Sequence, residues 1–270
     1  MKFNKHQLRR ISPYLLIGAF YFVAFFAIGI AGDFPLNDDW AYAEGVRHLL
    51  LGEGLIMPNV CAAGIAHVAL GFLFAKVLGY SFVSLRICSF LVTIVGAIAF
   101  YVAAASLRIP RAAATFLTLL YAANPILLNV AFGFMSDSTA LALNMVFLAL
   151  LTRGLAKNSL KTVALAFVVL AVAVSVRQSA LIFLVLIPLC LSKRFGAEKN
   201  RFVYFAASII LPLASAAACD HWLMTSYVES GSVNIGYDLV KKAHSDVVQK
   251  FLFAAPEMAV PVLSAVIQVL

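Results

Sequence analysis

Apolar runs, most of them near the ~20 residues that a helix needs to cross the hydrocarbon of a bilayer, follow one another along nearly the whole chain. That pattern leaves few folds open. Inside lipid every backbone N–H and C=O must find its partner within the protein, so spanning segments are helices or closed barrels, and runs of this length are helices. With 63% apolar and 12% charged residues in 270, the chain lies far from soluble proteins, where about a quarter of residues are charged. The expected fold is all-α: one polytopic transmembrane bundle of about eight spans over residues 1–270.

A formal charge of +8 raises the possibility of nucleic acid, but the basic residues stand in short clusters between apolar runs, without the patch and interleaved aromatics that such binding needs. No nucleic-acid partner is expected. Cys61, Cys88, Cys190 and Cys219 lack CxxC spacing and neighbouring His, and read as packing residues. GxSxG, Walker A and dinucleotide glycine motifs are absent. The N-terminal Lys2, Lys5, Arg9 and Arg10 precede a run from Pro13 to Gly32 that is too long for a signal-peptide core, so it is read as an uncleaved first span.

The basic clusters orient the bundle. Placing the N-terminus in the cytoplasm puts Arg108 and Arg111, then Arg153, Lys157 and Lys161, then Lys193, Arg194, Lys199 and Arg201 on the same side, provided that Val60–Gly79 is an external interfacial or re-entrant helix and not a span. Spans are then expected at Arg86–Ser106, at Ala112–Ala131 with a kink at Pro125, at Phe134–Leu151, Thr162–Val176, Gln178–Leu191 and Phe202–Cys219, with a last apolar run at Phe251–Leu270. On this map Glu198 is the one acidic residue inside. Residues 33–85 form a first external loop, and Asp220–Lys250, with Trp222, Tyr227 and Tyr237, forms a lid-like external segment.

The first external loop begins with an acidic, aromatic island, Phe34-Pro-Leu-Asn-Asp-Asp-Trp-Ala-Tyr-Ala-Glu-Gly-Val-Arg47. Carboxylates at a membrane face are costly to desolvate and point to function. One of Asn37, Asp38 and Asp39 would suffice to cap the helix that follows, stabilising by about 0.5–2 kcal/mol; adjacent Asp38 and Asp39 also suit general-base or cation-binding work. Asp137, in Phe134-Met-Ser-Asp-Ser-Thr139, comes to the same face, where capping and a catalytic or metal role both fit. Arg177, between two apolar runs, fits either a snorkelling residue or a phosphate-binding guanidinium, with Arg86 and Lys76 as weaker candidates for the latter. His67 reads as a packed or interfacial histidine.

Four stretches carry a resemblance: Leu36-Asn-Asp-Asp-Trp-Ala-Tyr42 with Leu49-Leu-Leu-Gly-Glu-Gly54, Val77 to Phe90 with Arg86, Phe134 to Leu143 with Asp137, and Val174 to Leu181 with Arg177. In this order they resemble the C-type fold glycosyltransferases of the protein mannosyltransferase, aminoarabinose transferase and Rgt-like group. The resemblance implies Asp38 or Asp39 as the catalytic carboxylate, with Asp38 favoured from its place in the acidic pair, and Asp137 as a second acidic participant. It implies Arg177, with Arg86, at the lipid phosphate, and Trp40 and Tyr42 lining the substrate site. It also implies a polyprenyl-phosphate sugar donor, a lipid or glycan acceptor, inversion at the sugar carbon and a site on the external face of a bacterial inner membrane. Asp39 and Asp137 are the pair expected to hold a divalent cation, Mg or Mn, if one is used. The chain departs from the group at Met57-Pro-Asn-Val60, where a basic or His residue before prolines is usual, and it ends at Leu270 within an apolar run where members continue, so an incomplete or truncated copy is expected. A flippase-like permease and a non-catalytic scaffold of the same fold are the rival readings.

Overall fold

The computed structural model describes residues 5–36, 38–57, 64–186 and 201–229. The chain divides into two units, Met1–Ser226 and Tyr227–Leu270, and the account below concerns the first. Its helices are α1 (Lys5–Ile28), α2 (Asp39–Leu51), α3 (Ile65–Leu78), α4 (Phe82–Ser106), α5 (Arg111–Ala122), α6 (Pro125–Ala131), α7 (Ser136–Ala156) and α8 (Leu160–Val176), then a 3₁₀ segment Gln178–Leu186 and α9 (Arg201–Glu229). No strand occurs among the described residues.

Three helical segments are long and apolar enough to cross a membrane: Ile11–Ile28 of α1, α4 and α7; α5 with α6 makes a fourth if the bent pair is one span. The chain is thus a helical membrane protein, with fewer spans among the described residues than the eight expected. Residues 187–200 and 230–270, which hold the end of the expected Gln178–Leu191 span and all of the last apolar run, lie outside the described residues. Gln178–Leu186 itself is 3₁₀, and α8 with 17 residues is apolar but short. The lid expected over 220–250 is helical as far as Glu229, as the end of α9, and otherwise lies outside the described residues.

Two sequence expectations change in detail. At Pro125 the helix breaks and does not merely bend. Asn124 accepts from the N–H groups of Ile126 and Leu127 and caps a new helix that Pro125 opens, so α5 and α6 are separate helices bent by 62°. The reason is that proline's fixed φ and missing N–H suit the first turn of a helix, where that donor would go unused. α3, by contrast, has 14 residues, about 21 Å of helix, too short to cross alone, in keeping with the reading of Val60–Gly79 as something other than a span.

Packing follows the small residues. α4 and α7 approach closely where Gly96 faces Ala142: a Cβ at position 96 would lie 2.8 Å from the Ala142 Cα. Close backbone approach through small residues drives helix association in lipid, where apolar area alone gives no preference. α7 continues onto α8, Phe147 edge-on to Phe167 at 5.5 Å, in a cluster with Leu170, Ala173 and Val174. α1 buries Ile17, Tyr21 and Ala24 against α4 and leaves Leu15, Phe22, Val23 and Phe26 exposed, the face a lipid-contacting helix presents. Across one end of these helices, α2 and α3 pack on each other around Val46, Val68 and Phe134, and Trp222 of α9 packs against this cluster.

This packing predicts that Gly96→Ala lowers thermal stability in detergent by about 1–3 kcal/mol, because α4 and α7 must separate. Gly18→Ala, which meets nothing within 4 Å, should be neutral or gain up to about 1 kcal/mol. Equal melting temperatures for Gly96→Ala and the wild type would contradict the close approach.

Candidate active site

α2, the start of α7 and the end of α8 converge through one hydroxyl. Ser136, the first residue of α7, donates to the phenol oxygen of Tyr42 on α2 at 2.9 Å and accepts from Nε of Arg177 at 3.3 Å. Arg177 stands where α8 ends in an extended conformation, and its Nη2 pairs with Oδ2 of Asp137 at 2.6 Å. Both side chains keep about a third of their surface, 36% for Arg177 and 33% for Asp137, so the pair is open to solvent on one side. Tyr42 is buried, and burial pushes its phenol above the ordinary range. The charges of Arg177, Asp137 and Asp38 also act on that phenol.

Beneath this surface His67 of α3 is fully buried, as a packed histidine. Its Nδ1 lies 2.8 Å from the Thr139 hydroxyl and its Nε2 3.3 Å from the Phe134 carbonyl, while its ring stacks on Phe134 at 4.0 Å and meets Tyr42 edge-on at 5.3 Å. Gly71, one turn further along α3, has no room for a Cβ against Phe134 and Val46. This layer holds α2 and α3 against the start of α7, and a hydrogen bond from Gly64 N to Val176 O ties α3 to the end of α8. His67, Ser136 and Thr139 are the supports that sequence reasoning passed over as functional parts. Their signal is the helical spacing of Ser136 and Thr139 on either side of Asp137, three residues apart and so on one face of α7.

The two adjacent aspartates part company. Asp38 is exposed at the N-cap of α2 and makes no capping hydrogen bond, so the capping role that the sequence allowed is not taken up by its side chain. Asp39 is wholly buried, accepting from Leu36 N at 2.6 Å and facing Arg86 Nη2 at 3.8 Å. Burial pushes the Asp39 carboxyl above its ordinary range, against the pull of the Leu36 N–H and Arg86. Asn37 lies outside the described residues. Trp40 is exposed on α2.

Arg86 does not share the surface of Arg177. It is 1% exposed, with Nη1 donating to Gly32 O at 2.7 Å and Nη2 to Phe34 O. As for a divalent cation, Asp39 and Asp137 each face a different guanidinium, Arg86 and Arg177. Among the described residues no group of three or more His, Cys, Asp or Glu assembles that could hold a metal. The described residues do not fit a cation, and no step below runs through one. Cys88 and Cys219 are buried free thiols, in line with packing roles; Cys61 and Cys190 lie outside the described residues.

A family model of dolichyl-phosphate-mannose-protein mannosyltransferases matches residues 65–219, more than half of the chain. The chain belongs to this family. It is therefore an integral membrane protein of a glycosyltransferase family, and the mannosyltransferase-family segment begins at α3 and ends within α9. That segment contains Arg86, Asp137 and Arg177, while Asp38, Asp39, Trp40 and Tyr42 precede it. No curated protein and no solved structure matches the chain.

The buried layer yields a pH prediction. Burial lowers the His67 imidazole from 6.5 to about 3. Between those values the unfolded chain carries a proton at this position that the folded chain does not, so stability falls as pH drops through the window and is fully present above it. Asp39, whose carboxyl is shifted upward, contributes the opposite slope just above its ordinary value and is common to wild type and variant. His67→Gln should therefore flatten the dependence of melting temperature on pH between about 6.5 and 4. Identical slopes in the two proteins would contradict a neutral buried imidazole.

Proposed function

We propose that this chain transfers a sugar from a polyprenyl-phosphate donor to a hydroxyl of a lipid or glycan acceptor, with inversion, at the external face of a bacterial inner membrane. The observation that carries the reading is the solvent-open Asp137–Arg177 pair, joined through Ser136 to Tyr42 on α2, the helix whose N-cap is the exposed Asp38. Family membership supports glycosyl transfer in a membrane, and the distribution of basic residues supports a cytoplasmic N-terminus with this face outside.

The chemistry asks for two things, a base and a stabiliser of the leaving group. In this reading the Asp38 carboxylate takes the proton of the acceptor hydroxyl as that oxygen attacks the anomeric carbon. The bond from the anomeric carbon to the phosphate oxygen breaks, its electron pair stays with the lipid phosphate, and the protonated Asp38 returns its proton to water. Negative charge builds on the leaving phosphate, where a fixed guanidinium acts most strongly in the transition state. Arg177 fills that place. Asp137 and Ser136 engage Nη2 and Nε, fixing the plane of the fork while leaving further N–H donors for a phosphate. Asp137 thus works as the acidic participant that orients Arg177, and Trp40, exposed beside Asp38, offers an aromatic face to the sugar.

In proteoliposomes supplied with a labelled polyprenyl-phosphate sugar, wild type should transfer label and Asp38→Asn should lose about 10²- to 10⁴-fold in rate. Arg177→Gln should weaken donor use about tenfold or more. Asp39→Asn, which keeps an acceptor for Leu36 N, should retain more activity than Asp38→Asn. Unimpaired transfer by Asp38→Asn would remove the base, and a folded wild type that transfers nothing would favour a non-catalytic scaffold.

A further inference from the structure

Between α1 and α2, residues 29–36 and Asp38 show no regular secondary structure apart from bends and a turn, yet this segment must deliver Asp38 to a fixed place. Its backbone is held from outside. Arg86, in the second turn of α4, donates through Nη1 to the Gly32 carbonyl at 2.7 Å and through Nη2 to the Phe34 carbonyl. The Phe34 and Phe82 rings lie 5.5 and 5.9 Å from its guanidinium carbon. The carboxylate of Asp33 accepts from Phe82 N at 2.7 Å, tying the same segment to the start of α4. Asp39 closes the other end by accepting from Leu36 N at 2.6 Å while facing Arg86.

A buried ion pair is a poor source of stability, since apolar residues of similar volume often do as well or better. This one is also incompletely matched: Arg86 and Asp39 stand 3.8 Å apart, and Arg86 Nε and Asp39 Oδ2 have no hydrogen-bond partner. What the pair does provide is direction. Within this segment its hydrogen bonds go to three backbone groups of residues 32–36, a short step before Asp38.

We propose that Arg86 and Asp39 are positioning residues that act together on the backbone of residues 32–36 to set the place of Asp38, and that neither contacts the donor. The proposal rests on the reading of Asp38 as the base. Reactions of this kind lose about a hundredfold in rate when a reacting group is displaced by about 1 Å, so the pair governs turnover more than donor binding.

The test compares wild type, Arg86→Gln, Arg86→Lys and Asp39→Asn in proteoliposomes, measuring kcat and donor KM with a labelled polyprenyl-phosphate sugar and backbone hydrogen exchange by mass spectrometry. Arg86→Gln should lower kcat about a hundredfold with donor KM changed less than about twofold, and exchange should quicken in residues 30–40 but not in α7. Arg86→Lys, a point charge without the planar fork, should fall between wild type and Arg86→Gln. A raised donor KM at unchanged kcat would make Arg86 a phosphate contact and overturn the proposal. Unchanged exchange in residues 30–40, or exchange that quickens equally in α7, would overturn it too, the second outcome marking the pair as a stability element only. If wild type transfers no sugar, it is the reading of Asp38 that fails, and the exchange data alone decide whether the pair holds the loop.

Discussion

The hydroxyl of Ser136 is the point on which this arrangement depends. It donates to Tyr42 and accepts from Arg177, and in doing so joins a helix of the first loop, the start of α7 and the end of α8. A buried hydroxyl with both roles filled is satisfied on both sides, and a satisfied polar network fixes geometry more sharply than apolar contact does. Without it Tyr42 would be a buried phenol lacking its acceptor role, and Arg177 would keep only Asp137. The layer of His67, Thr139 and Phe134 packs beneath this network and adds no charge to it.

Two aspartate–arginine pairs stand within this region, and they differ in burial and in separation. Asp137 and Arg177 are close at 2.6 Å and partly exposed, so water screens the pair and a charged ligand can reach it; such pairs add little to stability. Arg86 and Asp39 are buried and farther apart at 3.8 Å, so the surrounding backbone, not the partner charge, supplies most of what satisfies them. The exposed pair suits ligand contact, whereas the buried one suits shaping the chain. The same distinction explains why Asp38 and Asp39, neighbours in sequence, cannot be equivalent: the first turn of α2 directs one to solvent and the other into the junction with α4.

The sequence made the helical membrane fold legible because apolar length is a direct physical requirement of lipid. Short α3 and the break at Asn124–Pro125 were foreshadowed by His67, Lys76 and the proline, although whether Pro125 bends a helix or begins one depends on where Asn124 points its side chain, and that is a tertiary outcome. Arg177 and Asp137 were legible as candidates since charges are rare in this chain, but their pairing was not, for they are 40 residues apart and nothing local brings them together. The burial of Arg86 was not legible, because an arginine at a span boundary looks alike whether it snorkels, binds phosphate or turns inward; its contacts with the carbonyls of Gly32 and Phe34 come from a segment more than 50 residues away. The role of Ser136 was hidden beside Asp137, where capping accounts for a serine equally well.

The proposed contact of Arg177 with the lipid phosphate is central to the mechanism, and binding can be measured apart from turnover. A titration of wild type and Arg177→Gln in nanodiscs with a polyprenyl monophosphate, which carries the phosphate without a transferable sugar, reports on this contact alone. Wild type should bind saturably and Arg177→Gln at least about tenfold more weakly. Equal affinity in the two proteins would contradict the contact.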